Sequence, residues 1–470
     1  MLALKLPSTV TRVAKRPQSL PALDSSYRFP ARFTWGVATA ALQIEGADKT
    51  GGKGESVWDR FASIPGKVAN GDTPAVACDH YHRFRQDFAL MKRLGYTNYR
   101  LSIAWPRIVP DGDGRVNPRG LDFYRRLVDA MLDYGITPWV TLYHWDLPQA
   151  LEDQGGWRVR ATPEAFARYS NVVVHALGDR VKNWITLNEV PCFIGLAYKT
   201  GYHAPGAKES DRVVNQAYHN ALLAHGYAVH AVREHGGPGS RVGLVHNPDV
   251  GIPSIETPAN IAAAQRWTEE RNWHILNPVC QGIYPEGCLK KMGANRPQIN
   301  RGDLALISTP ADFLGLNVYS GFFIRAQRRG RPEVLALPGN FPRADLSWLN
   351  HAPQSIYWAL RHAHDLYGVK SLFVTENGAG YEDRPDANGE ILDLHRRDYV
   401  RNHLIAVHRA VDEGLPVHGY FLWSFLDNFE WAEGYSKRFG IVYTDFKTQR
   451  RTPKLTAHWY TEVIRANRIL

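Results

Sequence analysis

Hydrophobic and polar positions follow two alternating periods along the chain from about residue 33 onward. Short runs rich in β-branched and aromatic residues predict eight strands, which lie at 34–37, 98–103, 137–142, 183–187, 241–245, 313–317, 371–375 and 417–423. Apolar residues at helical spacing predict helices between them, at 84–94, 120–134, 163–177, 217–233, 355–367 and 396–413. This alternation indicates an α/β fold with a parallel sheet. Eight units favour a single (β/α)8 TIM barrel over two doubly wound sheets, which would carry a linker and a glycine-rich phosphate loop.

The first 26 residues lack this pattern, and no acidic residue occurs before Asp24. We expect residues 1–26 to form a flexible basic extension and residues 27–470 to form one barrel domain. The sequence contains neither the run of about 18 apolar residues that spans a membrane nor a secretory signal. The four cysteines form no CxxC pair, so a soluble cytoplasmic protein with reduced thiols is expected.

The composition is that of a globular protein, with 44% hydrophobic and 22% charged residues in 470. The net charge of +10 raises nucleic acid as an alternative partner, but the basic residues are scattered. The densest group, at 325–331, contains four arginines and is more simply a solvated loop. No nucleic-acid, membrane or cofactor partner is therefore predicted, and the oligomeric state stays open.

The carboxyl ends of the predicted strands carry polar and aromatic residues. In a barrel these ends meet at one mouth, where the chemistry takes place. Strand two carries Arg100 within it, and the residues at or just beyond the other strand ends are His144, Trp145, Asp146, Asn188, Glu189, Asn317, Tyr319, Glu376, Asn377, Trp423, Glu430 and Trp431. We therefore expect one polar pocket with aromatic walls.

Two of these residues, Glu189 and Glu376, directly follow apolar strand runs. A facing pair of carboxylates suits glycoside hydrolysis, because one can protonate the leaving oxygen while the other attacks or assists at the anomeric carbon. Flat tryptophan faces fit the C–H faces of a sugar ring. Two unrelated solvated acids are the alternative, and the surrounding His, Asn, Arg and Trp residues argue against it.

The segment 78–82, Cys-Asp-His-Tyr-His, brings together residue types that bind metals. It opens a helical pattern, however, and positions two apart on a helix do not face one point. We expect Asp79 to be a helix N-cap and predict no metal site.

Seven ordered motifs identify a resemblance. They are 33–39 with Gln43 and 45–46, 100–105, 143–148, 186–189, 317–319, 374–378 and 423–431. Together they show that the chain resembles glycoside hydrolase family 1, the retaining β-glucosidase family, from about residue 33 to 460. The resemblance implies a cofactor-free β-glucosidase in which Glu376 is the nucleophile and Glu189 the acid/base.

The resemblance also implies the sugar contacts. Arg100 and Tyr319 would touch Glu376, Asn317 would support the site, and Asn188 would bind the 2-hydroxyl. Outer hydroxyls would be held by Gln43, His144 and Glu430. The implied aromatic surroundings are Trp423 and Trp431 beside the sugar, Phe439 on the far wall and Trp348 as a shelf for the leaving group.

Glu430 bears on the substrate, because an acid there would repel the phosphate of a 6-phosphoglycoside. Glucosides are expected, with galactosides and fucosides also open. The sequence departs from the family where Val190 follows Glu189 in place of proline, and His246 closes strand five. Two other functions stay open: transfer of sugar to alcohol acceptors, and a catalytically dead glycan-binding barrel.

Overall fold

A computed structural model describes residues 27–470 and shows one closed barrel of eight parallel strands. The strands, numbered in chain order, are β1 (Thr34–Ala38), β2 (Asn98–Ser102), β3 (Thr137–Tyr143), β4 (Asn183–Asn188), β5 (Arg241–His246), β6 (Phe313–Asn317), β7 (Leu372–Asn377) and β8 (Val417–Trp423). Each strand pairs with the next along the chain, and β8 pairs with β1 to close the ring. The predicted (β/α)8 fold class is confirmed. The predicted extension at 1–26 lies outside the described residues.

A long helix follows each strand. These helices are α1 (His80–Leu94), α2 (Pro118–Asp133), α3 (Ala161–Leu177), α4 (Asp211–His235), α5 (Pro258–Gln281), α6 (Gln354–Tyr367), α7 (Leu394–Asp412) and α8 (Leu455–Ala466). Shorter helices cover Ala41–Ile44, Val57–Ser63, Trp105–Ile108, Gln149–Asp153, Glu286–Met292 and Asp303–Ile307, and Pro191–Lys199 is a π-helix. The sequence pattern singled out neither α5 nor α8. The buried face of α5 includes Asn260, Thr268 and Asn272, which blur the apolar period.

Aromatic side chains fill part of the barrel interior. The Trp139 ring lies 5.0 Å from the rings of Phe373 and Phe421, between centroids, and 5.6 Å from that of Phe313. Gly36 faces this cluster, and a Cβ there would lie 2.4 Å from the Phe421 ring. The interior is therefore packed, as is usual for TIM barrels, and a site is left at the mouth.

Two small sheets lie outside the barrel. One contains Gly251–Pro253, Phe322–Ala326 and Pro332–Val334, and the other is the hairpin of Val442–Thr444 and Arg451–Pro453. The arginine-rich segment lies on the first sheet, where Arg325 forms an ion pair with Glu333 at 2.8 Å. Within residues 27–470, no helix is long and apolar enough to cross a membrane.

In the segment 78–82, which contains residue types that bind metals, the side chains contact different partners. Asp79 occupies the N-cap position, as predicted, but its side chain makes no capping hydrogen bond. The carboxylate instead binds His82 Nδ1 at 2.6 Å and Arg83 Nε at 2.9 Å. His80 binds Asp87, and the Cys78 thiol donates to a backbone carbonyl at 3.0 Å. These partners differ because consecutive residues point in different directions around a helix start.

Candidate active site

A cavity of about 420 Å³ opens at the carboxyl ends of the strands. Nine of the predicted site residues line it: His144, Glu189, Tyr319, Trp348, Glu376, Trp423, Glu430, Trp431 and Phe439. The other four, Gln43, Arg100, Asn188 and Asn317, are buried and bind lining residues from behind. The cavity has the size of an ordinary small-molecule site.

Glu376 is held by two donors at the end of β7. Arg100, which projects from β2, donates from Nη1 to Glu376 Oε1. The Tyr319 hydroxyl donates to the other oxygen, Oε2, at 2.6 Å. Both carboxylate oxygens are thus fixed in position, and the guanidinium stabilises their negative charge.

Glu189 follows β4 in a left-handed backbone conformation, with φ of 51°. Strain of this kind in a non-glycine residue is common at functional sites. Asn317 Nδ2 donates to Glu189 Oε1 at 2.6 Å, and the Cys192 thiol donates to Oε2 at 3.1 Å. Burial, followed by the negative charge of Glu376, raises the pKa of Glu189. This carboxyl group is therefore suited to hold a proton near neutral pH.

Asn188 joins the two carboxylates into one network. Its Oδ1 accepts from Arg100 Nη2 at 2.5 Å and from Asn317 Nδ2 at 3.0 Å, and these two donors also bind Glu376 and Glu189 respectively. Residues distant along the chain thus converge on a single centre, as the sequence predicts.

His144 is the neutral member of the site. Burial, and then the charge of Arg100, hold the pKa of His144 well below its usual range. Its Nε2 lies 3.1 Å from Asn188 Nδ2, an amide donor, so Nε2 accepts this bond. The imidazole is nearly parallel to the rings of Trp423 and Trp431, with centroids 5.9 and 5.8 Å away. Neutral hydrogen-bonding groups between aromatic rings suit an uncharged polyhydroxy ligand.

Glu430 is a third carboxyl group in the cavity. Gln43 Nε2 lies 3.4 Å from Glu430 Oε2 and donates to the backbone of Phe429 at 2.9 Å. Burial and the nearby charges of Glu376 and Glu189 raise the pKa of Glu430 to about 8. Glu430 can therefore both donate to and accept from a ligand hydroxyl.

Two aromatic residues define opposite parts of the cavity. Phe439 is buried and lies 6.1 Å from the Tyr319 ring, between centroids. Trp348 makes an edge contact with the same tyrosine at 5.9 Å but is 53% exposed. Trp348 therefore lies at the open edge of the cavity, and Phe439 lies in its enclosed part.

Nine further lining residues were not marked as site residues by the sequence: Trp145, Cys192, Leu196, Tyr202, His203, Asn247, Leu346, Ala432 and Glu433. Trp145 was noted only as a strand-end residue. Cys192 and Leu196 lie in the π-helix after β4, and Cys192 had one usable signal, its position three residues after Glu189. The others lie on connecting segments, whose paths no sequence period predicts.

The two residues that depart from the family pattern, Val190 and His246, are accommodated by their immediate surroundings. Val190 is buried in helical geometry at the start of the π-helix, and Glu189 still reaches the cavity. His246 does not line the cavity; its Nε2 binds Asn272 at 2.9 Å in the core, which is a structural contact. In the described part of the chain, no three His, Cys, Asp or Glu side chains form a group that could hold a metal ion.

Comparison with known proteins places this geometry in a family. The sequence model of the family "Glycosyl hydrolase family 1" matches residues 25–469 of this chain. β-Glucosidase A of Thermotoga maritima is 44% identical over 94% of this chain and 98% of its own length, and β-glucosidase A of Acetivibrio thermocellus is 43% identical over 94% and 99%. A solved structure of the Thermotoga maritima β-glucosidase with castanospermine covers 94% of this chain and 100% of its own, at 43% identity and a TM-score of 0.87. The protein therefore belongs to glycosyl hydrolase family 1.

Proposed function

We propose that this protein is a retaining β-glucosidase that removes terminal, non-reducing β-D-glucosyl residues from small β-glucosides and cello-oligosaccharides. One observation carries the proposal: Glu376, bound by Arg100 and Tyr319, shares a buried network with Glu189, a carboxyl group whose pKa is raised. Paired carboxyl groups in unlike environments are the usual acid/base arrangement of glycosidases.

In the first step, the Glu376 carboxylate attacks the anomeric carbon and the bond to the glycosidic oxygen breaks. Glu189 gives its proton to that oxygen, so the aglycone leaves as a neutral alcohol. Asn188 accepts hydrogen bonds from the donors that hold the two acids, and in this proposal it binds the sugar 2-hydroxyl, a contact that can strengthen in the transition state. The product of this step is a glycosyl-enzyme ester on Glu376.

In the second step, water attacks the anomeric carbon, Glu189 takes a proton from that water, and the bond to Glu376 breaks so that Glu376 leaves as a carboxylate. The negative charge of Glu376 helps raise the pKa of Glu189 in the free enzyme, and esterification removes that charge. The pKa of Glu189 therefore falls in the intermediate, and the former acid becomes a base. Two displacements at one carbon retain the β configuration.

The cavity favours an unphosphorylated sugar. The hydroxyls of the sugar would meet Gln43, His144 and Glu430, with Trp423 and Trp431 beside the ring. A phosphate dianion would be buried close to Glu376, whose negative charge already acts on Glu430, so its binding would carry an electrostatic cost. A relative from Bifidobacterium breve is named a bifunctional β-D-glucosidase/β-D-fucosidase. Activity on β-fucosides is therefore included in the proposal.

The direct test replaces the nucleophile. Glu376→Ala is expected to abolish the release of p-nitrophenol from p-nitrophenyl β-glucoside, and added azide should restore it with formation of the α-glucosyl azide. The matched control is Glu382→Ala, which removes an exposed glutamate from the loop that follows β7 and should retain wild-type rates. Full activity of the folded Glu376→Ala variant would refute the proposal, and rescue with a β-azide product would refute the retaining mechanism.

We also propose a reducing compartment such as the cytoplasm. All four cysteines, Cys78, Cys192, Cys280 and Cys288, are free thiols. One of them contacts Glu189. Oxidation of that thiol would place a new polar or charged group against the acid/base, so a reducing environment protects the site.

A further inference from the structure

A cavity of about 670 Å³ lies in the helical layer of the molecule, apart from the active site. Its walls come from α1, α7, α8 and the hairpin of Val442–Thr444 and Arg451–Pro453, and no residue lines both this cavity and the active site. We call it the outer cavity. Its volume is that of an ordinary small-molecule site.

The charged side chains of the outer cavity are mostly arginines. Arg93 of α1, Arg397 of α7, Arg451 of the hairpin and Arg465 of α8 line it, and Glu462 is the one carboxylate among its described lining residues. A guanidinium group binds phosphate oxygens well, because its planar N–H donors can engage two oxygens at once. The excess of arginine therefore favours an anion that carries more than one phosphate group.

Ion pairs within the protein leave part of this positive charge uncompensated. Three of the arginines each have one carboxylate partner, at 2.7 to 3.0 Å: Asp398 for Arg397, Asp87 for Arg451 and Glu462 for Arg465. Arg93 is exposed and forms no ion pair within residues 27–470. The pair of Arg465 is also exposed and contributes little to stability, so this guanidinium can turn toward a ligand at low cost.

The outer cavity also contains an anchored aromatic ring. Trp459 of α8 is partly buried, and its indole Nε1 donates to the backbone carbonyl of Leu470 at 3.4 Å. The aliphatic side chains of Leu90, Leu94 and Leu455 line the same cavity. A flat aromatic face accompanied by aliphatic side chains suits a planar base, because bases stack favourably on aromatic rings.

The aromatic and the basic groups are spaced to bind one ligand. Arg465 follows Trp459 by six residues on the same helix, which corresponds to about 9 Å along the helix axis. The base and the terminal phosphate of a nucleoside diphosphate are separated by a similar distance. One such molecule can therefore contact the ring at one end and the guanidinium groups at the other.

We propose that the outer cavity binds a nucleotide with at least two phosphate groups, such as a nucleoside diphosphate. The base stacks on Trp459, and the phosphates are bound by Arg93, Arg397 and Arg465, while Arg451 stays paired with Asp87. This binding is separate from glycoside hydrolysis and does not depend on the proposed function.

The test measures the dissociation constants of the full chain for ADP, pyrophosphate and adenosine by isothermal titration calorimetry at physiological ionic strength. ADP should bind more tightly than pyrophosphate or adenosine, because it engages both the ring and the arginines. Arg93→Ala should raise the Kd for ADP about tenfold, as expected when one hydrogen bond to a charged group is lost. Trp459→Leu should raise the Kd for ADP about fivefold, through the loss of stacking, and leave the Kd for pyrophosphate unchanged.

Arg85→Ala is the matched control, because Arg85 is exposed on the same helix as Arg93 and carries the same charge but does not line the cavity. Its Kd for ADP should equal that of the wild type. Arg93→Ala keeps the test independent of any misfolding of Trp459→Leu, since Arg93 has no ion pair to lose. Absence of ADP binding by the wild type, or unchanged affinity in both cavity variants, overturns the inference. An equal loss of affinity in Arg85→Ala, or ADP binding no tighter than that of pyrophosphate, overturns it as well.

Discussion

The thiol of Cys192 offers a sharp test of how the site controls the proton on Glu189. The thiol donates to Glu189 Oε2 at 3.1 Å, and it accepts in turn from Asn247 Nδ2 at 3.4 Å. A donor to a carboxylate stabilises the ionised form, so this contact lowers the pKa of Glu189 against the larger effect of burial. Cys192→Ala removes the donor without adding bulk.

The sign and size of the effect follow from this geometry. Loss of the donor should raise the pKa of Glu189. A weak thiol donor contributes about 0.5–1.5 kcal/mol to the ionised form, which corresponds to roughly 0.4–1 pH unit. The other groups that act on Glu189, including Glu376, Arg100 and Asn317, are unchanged. Because Glu189 must be protonated for the first step, the alkaline limb of kcat/KM should move to higher pH by this amount.

The assay is the pH profile of kcat/KM for an alkyl β-glucoside, whose poor leaving group makes the rate depend on the acid. Cys192→Ser is the matched control, because its hydroxyl can still donate to Glu189 Oε2. Its alkaline limb should stay at or below the wild-type position. An alkaline limb that is unmoved, or moved to lower pH, in Cys192→Ala would show that the thiol does not stabilise the charged carboxylate. Equal shifts in both variants would point to altered packing instead.

Two further predictions concern the nucleophile and the loop that leads to Glu430. Tyr319→Phe removes the hydroxyl donor to Glu376 Oε2 but keeps the ring. The value of kcat/KM for p-nitrophenyl β-glucoside should fall by about 10- to 100-fold, because a hydrogen bond to a charged group contributes about 1.5–3 kcal/mol. A fall of less than threefold would contradict this prediction. Lys454 is buried and binds Asp427 at 2.7 Å. Lys454→Met leaves this carboxylate without its buried partner, so the free energy of unfolding, measured in urea, should fall by about 3 kcal/mol. An unchanged unfolding midpoint would contradict this prediction.

The sequence alone was sufficient to predict the barrel fold. β-Branched runs alternating with amphipathic stretches marked all eight strands, because both periods are local consequences of which side chains face the core. Neither α5 nor α8 was singled out, and the buried face of α5 includes asparagine and threonine residues that interrupt the apolar period. The polar residues after the strands could be assigned to one mouth for a topological reason, since parallel strands in a barrel end on the same side.

The sequence alone determined the fold class, the set of strand-end residues and the resemblance to one hydrolase family. Tertiary structure decided which atoms meet: that Arg100 and Tyr319 hold Glu376, and that Asn317 and Cys192 hold Glu189. It also formed a cavity of about 330 Å³ beside Trp348, from loops whose paths no sequence period predicts. The physical reason is the separation along the chain of the residues that interact. Periodicity reports contacts within a few residues, whereas hydrogen bonds and pKa values depend on groups brought together from distant parts of the chain.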